Sequence, residues 1–199
     1  MELTPTEIAD VVEIRPRRFG DHRGWFSEVF KAHVFADAGI DVAFIQDNES
    51  FSASPGTIRG LHYQLAPHAQ AKLVRVLRGS IADVAVDLRR GSSTFGRHVV
   101  VTLSAEAGNQ LYVPVGFGHG FCTLEPDTHV AYKVSAPYAP DCERAVRWDD
   151  PAIGIAWPDV AGGVVLSDKD LEAPLLSDQP DLFELAAPGR STDSGESAS

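Results

Sequence analysis

The sequence predicts one all-β domain, a jelly roll or related barrel with a few short helices. Three observations carry this. Beyond residue 42 the helical period disappears and short β-type runs follow one another, separated by turn residues at the intervals of sandwiches and barrels. Ile81-Ala82-Asp83-Val84-Ala85-Val86-Asp87-Leu88 alternates, placing Ala82, Val84, Val86 and Leu88 on one face and Asp83 and Asp87 on the other, the period of a strand. A chain of 199 residues with 44% hydrophobic and 23% charged residues fills one core and is short for two.

Taken in order, residues 8–16 alternate weakly and read as an opening strand, followed by a glycine-marked turn at Phe19-Gly20-Asp21-His22-Arg23-Gly24. Residues 31–38 read as a short helix, apolar at Val34, Phe35 and Ala38 and stopped by Gly39. Strands are then expected over 42–52, 57–64, 72–78, 81–88, 97–103, 110–113, 120–124 and 128–135. Arg78-Gly79-Ser80 is a hairpin-type connection between two of them. Past Pro137 the periodicity weakens, and Trp148-Asp149-Asp150-Pro151 and Trp157-Pro158 suggest ordered loops held by aromatic packing. The domain is expected over 1–178, with 179–199 as a polar, mobile C-terminal tail.

Charge and composition narrow the partners. A formal net charge of −11 disfavours nucleic acid, whose binding is mostly Lys and Arg neutralising phosphate. Any bound anion must therefore meet a local basic pocket. Residues 1–10 carry three acids and no basic or apolar block, unlike a signal peptide, and no apolar run approaches the roughly 18 residues that a membrane span needs. A cytoplasmic location is expected, with no membrane partner. Cys122 and Cys142, without a C-x-x-C pattern, are read as free thiols.

Two clusters promise chemistry. Arg59-Gly60-Leu61-His62-Tyr63-Gln64, with Lys72 ten residues after the histidine, puts three basic groups on an apolar strand pair where a core would choose none. On a regular strand Arg59 and His62 would face opposite ways; a bulge at Gly60 would bring them to one side. The second cluster is Pro114-Val115-Gly116-Phe117-Gly118-His119, a P-x-G-x-x-H run that resembles the second motif of the cupin superfamily, where the histidine commonly ligates a metal. The first cupin motif supplies H-x-H followed by a glutamate, and this chain has His62-Tyr63-Gln64 there instead. A catalytic metal is therefore not expected, and the pocket is left for an organic substrate.

Together these stretches, with Phe19 to Gly24, Gln46-Asp47-Asn48, Gln70-Ala71-Lys72, Tyr132-Lys133 and Leu166-Ser167-Asp168-Lys169-Asp170, give residues 3–178 a specific resemblance. They resemble the dTDP-4-dehydrorhamnose 3,5-epimerases, metal-free cupin enzymes of deoxysugar pathways. The resemblance implies a cupin-type jelly roll, a dTDP-4-keto-6-deoxyhexose substrate, no cofactor and a homodimer whose N-terminal strands pack on the second subunit. It implies catalytic roles for four residues: His62 as base, Asp170 as the carboxylate orienting it, Lys72 as stabiliser of the C4 oxyanion, and Tyr132 as the acid on the opposite face. Arg23, Arg59 and Lys169 match contacts to diphosphate and nucleotide, and Tyr138 matches the ring stacked on thymine. Glu28, Gln46, Asn48, His119 and Glu143 match further substrate contacts.

Each role answers a physical need. C3 and C5 of such a sugar flank the C4 carbonyl, so inversion at either runs through an enolate and requires a base, an oxyanion stabiliser and an acid across the ring. A neutral imidazole suits the first role and a fixed cation the second. Other readings remain: a C3-only or C5-only mono-epimerase, a 3,4-ketoisomerase, a non-catalytic sugar-binding cupin, and a metal-dependent cupin oxygenase.

Overall fold

The computed structural model describes residues 1–185. In chain order its elements are β1 (Glu2–Pro5), β2 (Val12–Arg15), β3 (Arg18–Asp21), β4 (Gly24–Ser27), α1 (Ala32–Asp37), β5 (Gln46–Ser52), β6 (Ile58–Gln64), β7 (Lys72–Arg78), β8 (Ser80–Asp87), β9 (Arg89–Arg90) and β10 (His98–Ser104). They continue as β11 (Gln110–Val113), β12 (Phe117–Thr123), β13 (Thr128–Val134), β14 (Glu143–Ala145), α2 (Asp168–Leu171) and β15 (Phe183–Glu184).

Two antiparallel sheets form the all-β sandwich that the sequence predicts. One has six strands in the order β1-β2-β11-β7-β13-β5, the other five in the order β10-β8-β12-β6-β14. Consecutive strands are mostly not neighbours, so the chain crosses repeatedly between sheets, as in a jelly roll. Their facing surfaces share one apolar core, with Val74, Val76, Leu111 and Val130 from the six-stranded sheet against Ile81, Ala85, Phe117 and Phe121 from the five-stranded one.

The alternation read over 81–88 holds, and both of its faces are interior. Every residue of β8 is buried. Ile81 and Ala85 face the inter-sheet core, while Val84, Val86 and Leu88 pack under Leu61, Tyr63, Val146 and Ile153 on the outer face. The segment after β14 thus covers the back of the five-stranded sheet, and Asp83 and Asp87 lie inside the protein, 0% exposed.

Other departures have local causes. The opening strand expected over 8–16 is confined to β2, and a further strand, β1, precedes it, because the chain reverses between them: the Thr6 N–H donates to the Val11 carbonyl, and Ile8 and Val11 dip into the core. Val42 and Phe44 pack on α1's apolar cluster instead of joining a ladder, so that strand begins at Gln46. The strand expected over 120–124 starts at Phe117, and β14 and α2, of three and four residues, are too short for any periodicity to announce.

The packed unit also runs past residue 178. Gln179, 5% exposed, donates to the Ala145 carbonyl; Arg144 pairs with Asp181 at 2.8 Å; the Tyr63 hydroxyl donates to the Asp181 carbonyl; and β15 lies parallel to β9. Residues 186–199 of the expected tail lie outside the described residues.

Candidate active site

The site is built where the sheets part at one end of the sandwich. Strand register decides which side chains share a row. On the six-stranded sheet Gln46, Val134 and Lys72 are in register across β5, β13 and β7, and Asn48, Tyr132 and Val74 form the next row inward. On the five-stranded sheet His62, His119 and Ala85 make one row across β6, β12 and β8, and Arg59, Phe121 and Asp83 the next. Paired residues share a face. The imidazoles of His62 and His119 therefore sit side by side on one wall, with Lys72 and Tyr132 on the other.

Arg59 and His62 face the same way because β6 bulges between them: three steps along β6 span two along β12. Gly60 sits in the bulge at φ +134, and a Cβ there would stand 2.4 Å from the Gly120 Cα, so the strands can approach only with glycine at this position.

The base pair of the site is completed from far along the chain. A bridge between Thr57 and Val165 docks the segment that carries α2 beside β6. Ser167 caps α2, accepting from the Asp170 N–H and donating to Asp170 Oδ2 at 2.8 Å. This fixes the carboxyl so that Oδ1 lies 2.5 Å from His62 Nε2. Burial pushes the Asp170 carboxyl up, but the His62 hydrogen bond and charge, with Ser167 and the Gly60 N–H, outweigh it and hold the group below the ordinary carboxylate range. The ionised carboxylate accepts, so Nε2 carries the proton and the Nδ1 lone pair of His62 is left free.

Lys72 is 9% exposed and donates to the His62 carbonyl at 3.3 Å. Burial pulls its ammonium down to about 8, against the opposing pull of Asp83 and Glu143. Burial likewise depresses His119 and raises Tyr132, so the first is a neutral imidazole and the second a protonated phenol at neutral pH. His119 Nε2 meets Asp83 Oδ1 at 2.8 Å.

These groups line one continuous space. An outer cleft of about 520 Å³ is lined by Gln46, Asn48, His62, Lys72, Tyr132, Tyr138 and Glu143 among others. An inner chamber of about 210 Å³ shares His62, Lys72 and Tyr132 and adds Arg59, His119 and Asp170. At the mouth, Glu143 accepts from the Tyr138 hydroxyl at 2.8 Å and pairs with Lys169 at 2.6 Å, and Lys169 with Tyr138 holds this carboxyl below its usual range despite partial burial. Among the described residues no group of three His, Cys, Asp or Glu side chains is arranged to hold a metal ion.

A family profile described as dTDP-4-dehydrorhamnose 3,5-epimerase matches residues 5–178. The chain belongs to this family. A relative of that name from Sinorhizobium fredii is 55% identical over 184 residues, covering 92% of this chain and 94% of the relative. Another from Shigella flexneri is 49% identical over 86% of this chain and 93% of its own length. Among solved structures, the Legionella pneumophila 3,5-epimerase in complex with dTDP-4-keto-L-rhamnose superposes with a TM-score of 0.88 at 42% identity, covering 94% of this chain and 99% of that one. The protein is thus an epimerase.

Within the family framework, most residues singled out from sequence converge on the cleft, and two do not. Arg23 stands in the β3–β4 turn, paired with Asp21 and largely exposed. Glu28 pairs with Lys31 and lines a separate cavity beside Met1, Arg17 and Phe19. A single chain does not bring either to the cleft. Sequence reasoning missed three groups. Ser50 continues the Gln46, Asn48 alternation into the inner chamber, a signal that was available; Ser167 is the cap of α2; and Asp83 was read only as part of an alternating strand, with no role in the site.

Proposed function

We propose that the protein inverts C3 and C5 of dTDP-4-keto-6-deoxy-D-glucose to give dTDP-4-keto-L-rhamnose, with His62, Asp170, Lys72 and Tyr132 as its catalytic apparatus. The observation that carries this reading is the opposition of a His62–Asp170 pair on one wall to Lys72 and Tyr132 on the other, across one cleft. The dTDP-4-keto-L-rhamnose held by the Legionella relative supports the substrate class.

His62 Nδ1 removes the proton beside the carbonyl, and the charge of Asp170 stabilises the imidazolium that results. The developing C4 oxyanion is met by the Lys72 ammonium, a contact of the kind whose loss costs about 10²–10³-fold. Tyr132, protonated and facing His62, returns a proton from the other side, which is what turns exchange into inversion. Repetition at the second carbon needs only that the ring present its other flank to the same two groups.

Arg59, from the inner chamber, and Lys169, at the mouth, serve the diphosphate and Tyr138 the base, with Gln46, Asn48, His119 and Glu143 as further polar contacts to the substrate. Arg23 and Glu28 act in trans in a homodimer. The β3–β4 hairpin supports this, since Phe19, Trp25 and Phe26 are 48%, 59% and 66% exposed, an apolar surface suited to a second copy. The chemistry requires no cofactor, and two free cysteines fit a cytoplasmic location. Turnover in deuterated water tests the reading. Deuterium at both C3 and C5 of the product is expected; its absence from both would overturn it, and label at one carbon alone would make the protein a mono-epimerase.

A further inference from the structure

We propose that Asp83, which is fully buried and lines neither cavity, is the positioning residue of the site: a carboxylate sealed beneath the chamber that fixes the His119 tautomer and supplies the counter-charge to Lys72. The proposal rests on the epimerase reading above for its catalytic consequence, and on packing for its existence.

Asp83 is 0% exposed on the inner face of β8, in a row with Phe121 and Arg59 and among Ile81 and Ala85 of the apolar core. Its Oδ1 meets His119 Nε2 at 2.8 Å, while Oδ2 is buried with no hydrogen-bond partner among the described residues. A carboxyl group in that position costs stability unless something offsets it, and a hydrophobic residue would fill the same volume without penalty. The offset comes from the facing sheet. Lys72 projects inward from β7 with Val74 and Val76, its ammonium is also buried, and its single protein hydrogen bond is to the His62 carbonyl. The field of Asp83 is the largest influence opposing the loss of the Lys72 proton, ahead of that of Glu143.

One side chain therefore prepares two groups. By accepting from His119 Nε2–H, Asp83 leaves the Nδ1 lone pair of His119 for a sugar hydroxyl. By facing Lys72, it keeps the oxyanion stabiliser charged in a space where burial alone would discharge it. The other titratable groups around Lys72 are His62 and Arg59 on β6, His119 on β12, Tyr132 on β13, Asp47 and Glu49 on β5, Tyr138, Glu143 on β14 and Asp170 on α2. Of the acids, Asp47 and Glu49 are engaged by Lys133 and His129, Glu143 by Lys169, and Asp170 by His62. Among the described residues, Asp83 is the acid here with a fully buried oxygen left without a partner.

The test is carbon-13 NMR of the lysine ε-carbons in the substrate-free protein, beside the pH profile of kcat/KM. In Asp83→Asn the Lys72 titration, and with it the alkaline limb of the profile, should move down by about one pH unit or more. Glu143→Gln should move it less, and Asp83→Glu, which keeps the charge, should leave the limb near its wild-type position. If Asp83→Asn does not fold, Asp83→Glu decides: a limb displaced downward as far as that expected for the neutral variant overturns the proposal. An Asp83→Asn protein that folds and titrates as wild type overturns it equally. Since the titration is read without substrate, it stands or falls apart from the identity of the reaction.

Discussion

Replacing Asp170 with asparagine removes the charge behind His62 while keeping the shape of the side chain. Its carboxylate accepts from His62 Nε2 at 2.5 Å and from Ser167 at 2.8 Å, and is 3% exposed. An uncharged amide can still accept the Nε2 proton, but it no longer stabilises the imidazolium formed when His62 takes the substrate's proton. A hydrogen bond to a charged group is worth about 1.5–3 kcal/mol, so the chemical step should slow by roughly 10–100-fold. If the amide instead turns its N–H toward Nε2, the proton is forced onto Nδ1, the base is lost, and the deficit grows toward about 10⁴-fold. The assay is the single-turnover rate of deuterium incorporation at C5, with substrate affinity measured alongside. The rate should fall while affinity holds, because the Asp170 carboxylate is taken up by His62 and Ser167 and the diphosphate is assigned to Arg59 and Lys169. A variant that folds and keeps its rate to within about twofold would refute the role of the pair.

Two further predictions concern the scaffold. Gly60→Ala places a methyl group 2.4 Å from the Gly120 Cα at a φ of +134, neither of which can relax without moving backbone. Backbone strain and overpacking together should cost about 2–6 kcal/mol, read as a lower denaturant midpoint, and an unchanged midpoint would mean that the bulge is dispensable. Asp87 is fully buried; burial pushes its carboxyl up, but bonds from Arg89, Ser92 and Thr94 bring it from 3.8 down to about 2. A depressed carboxyl contributes stability that is present above the unfolded value and disappears as pH falls through the folded one. Its share, on the order of 2 kcal/mol, should fade between roughly pH 4 and 2, and Asp87→Asn should flatten that part of the stability curve; an unaltered acid limb would contradict this.

What was legible in the sequence follows from how far each signal reaches. Eight strands announced themselves through alternation and turn residues. Gly60 disclosed the bulge, because glycine inside an apolar strand marks a close approach, and here the approach is to Gly120. The cleft's basic groups stood out because a core has no use for them. Asp83 was invisible for the opposite reason. Alternation reports two faces but not what covers them, and only the chain after β14, folded across the back of the sheet, makes both faces of β8 interior. Residues 179–185 were misjudged since they are held by polar bonds to Ala145, Arg144 and Tyr63 and by Leu182 and Phe183 packed on the outer apolar cluster, a segment too short for any period to be read. Arg23 and Glu28 lie where no single chain could bring them to the cleft.

Two walls divide the labour in the proposed reaction, one abstracting the proton and the other returning it. Tyr132→Phe in deuterated water tests this most directly, because the hydroxyl is removed and the His62–Asp170 pair is left intact. Recovered substrate should still acquire deuterium with its configuration retained, while formation of inverted product falls by about 10²-fold or more. Inverted product formed at the wild-type rate would contradict it.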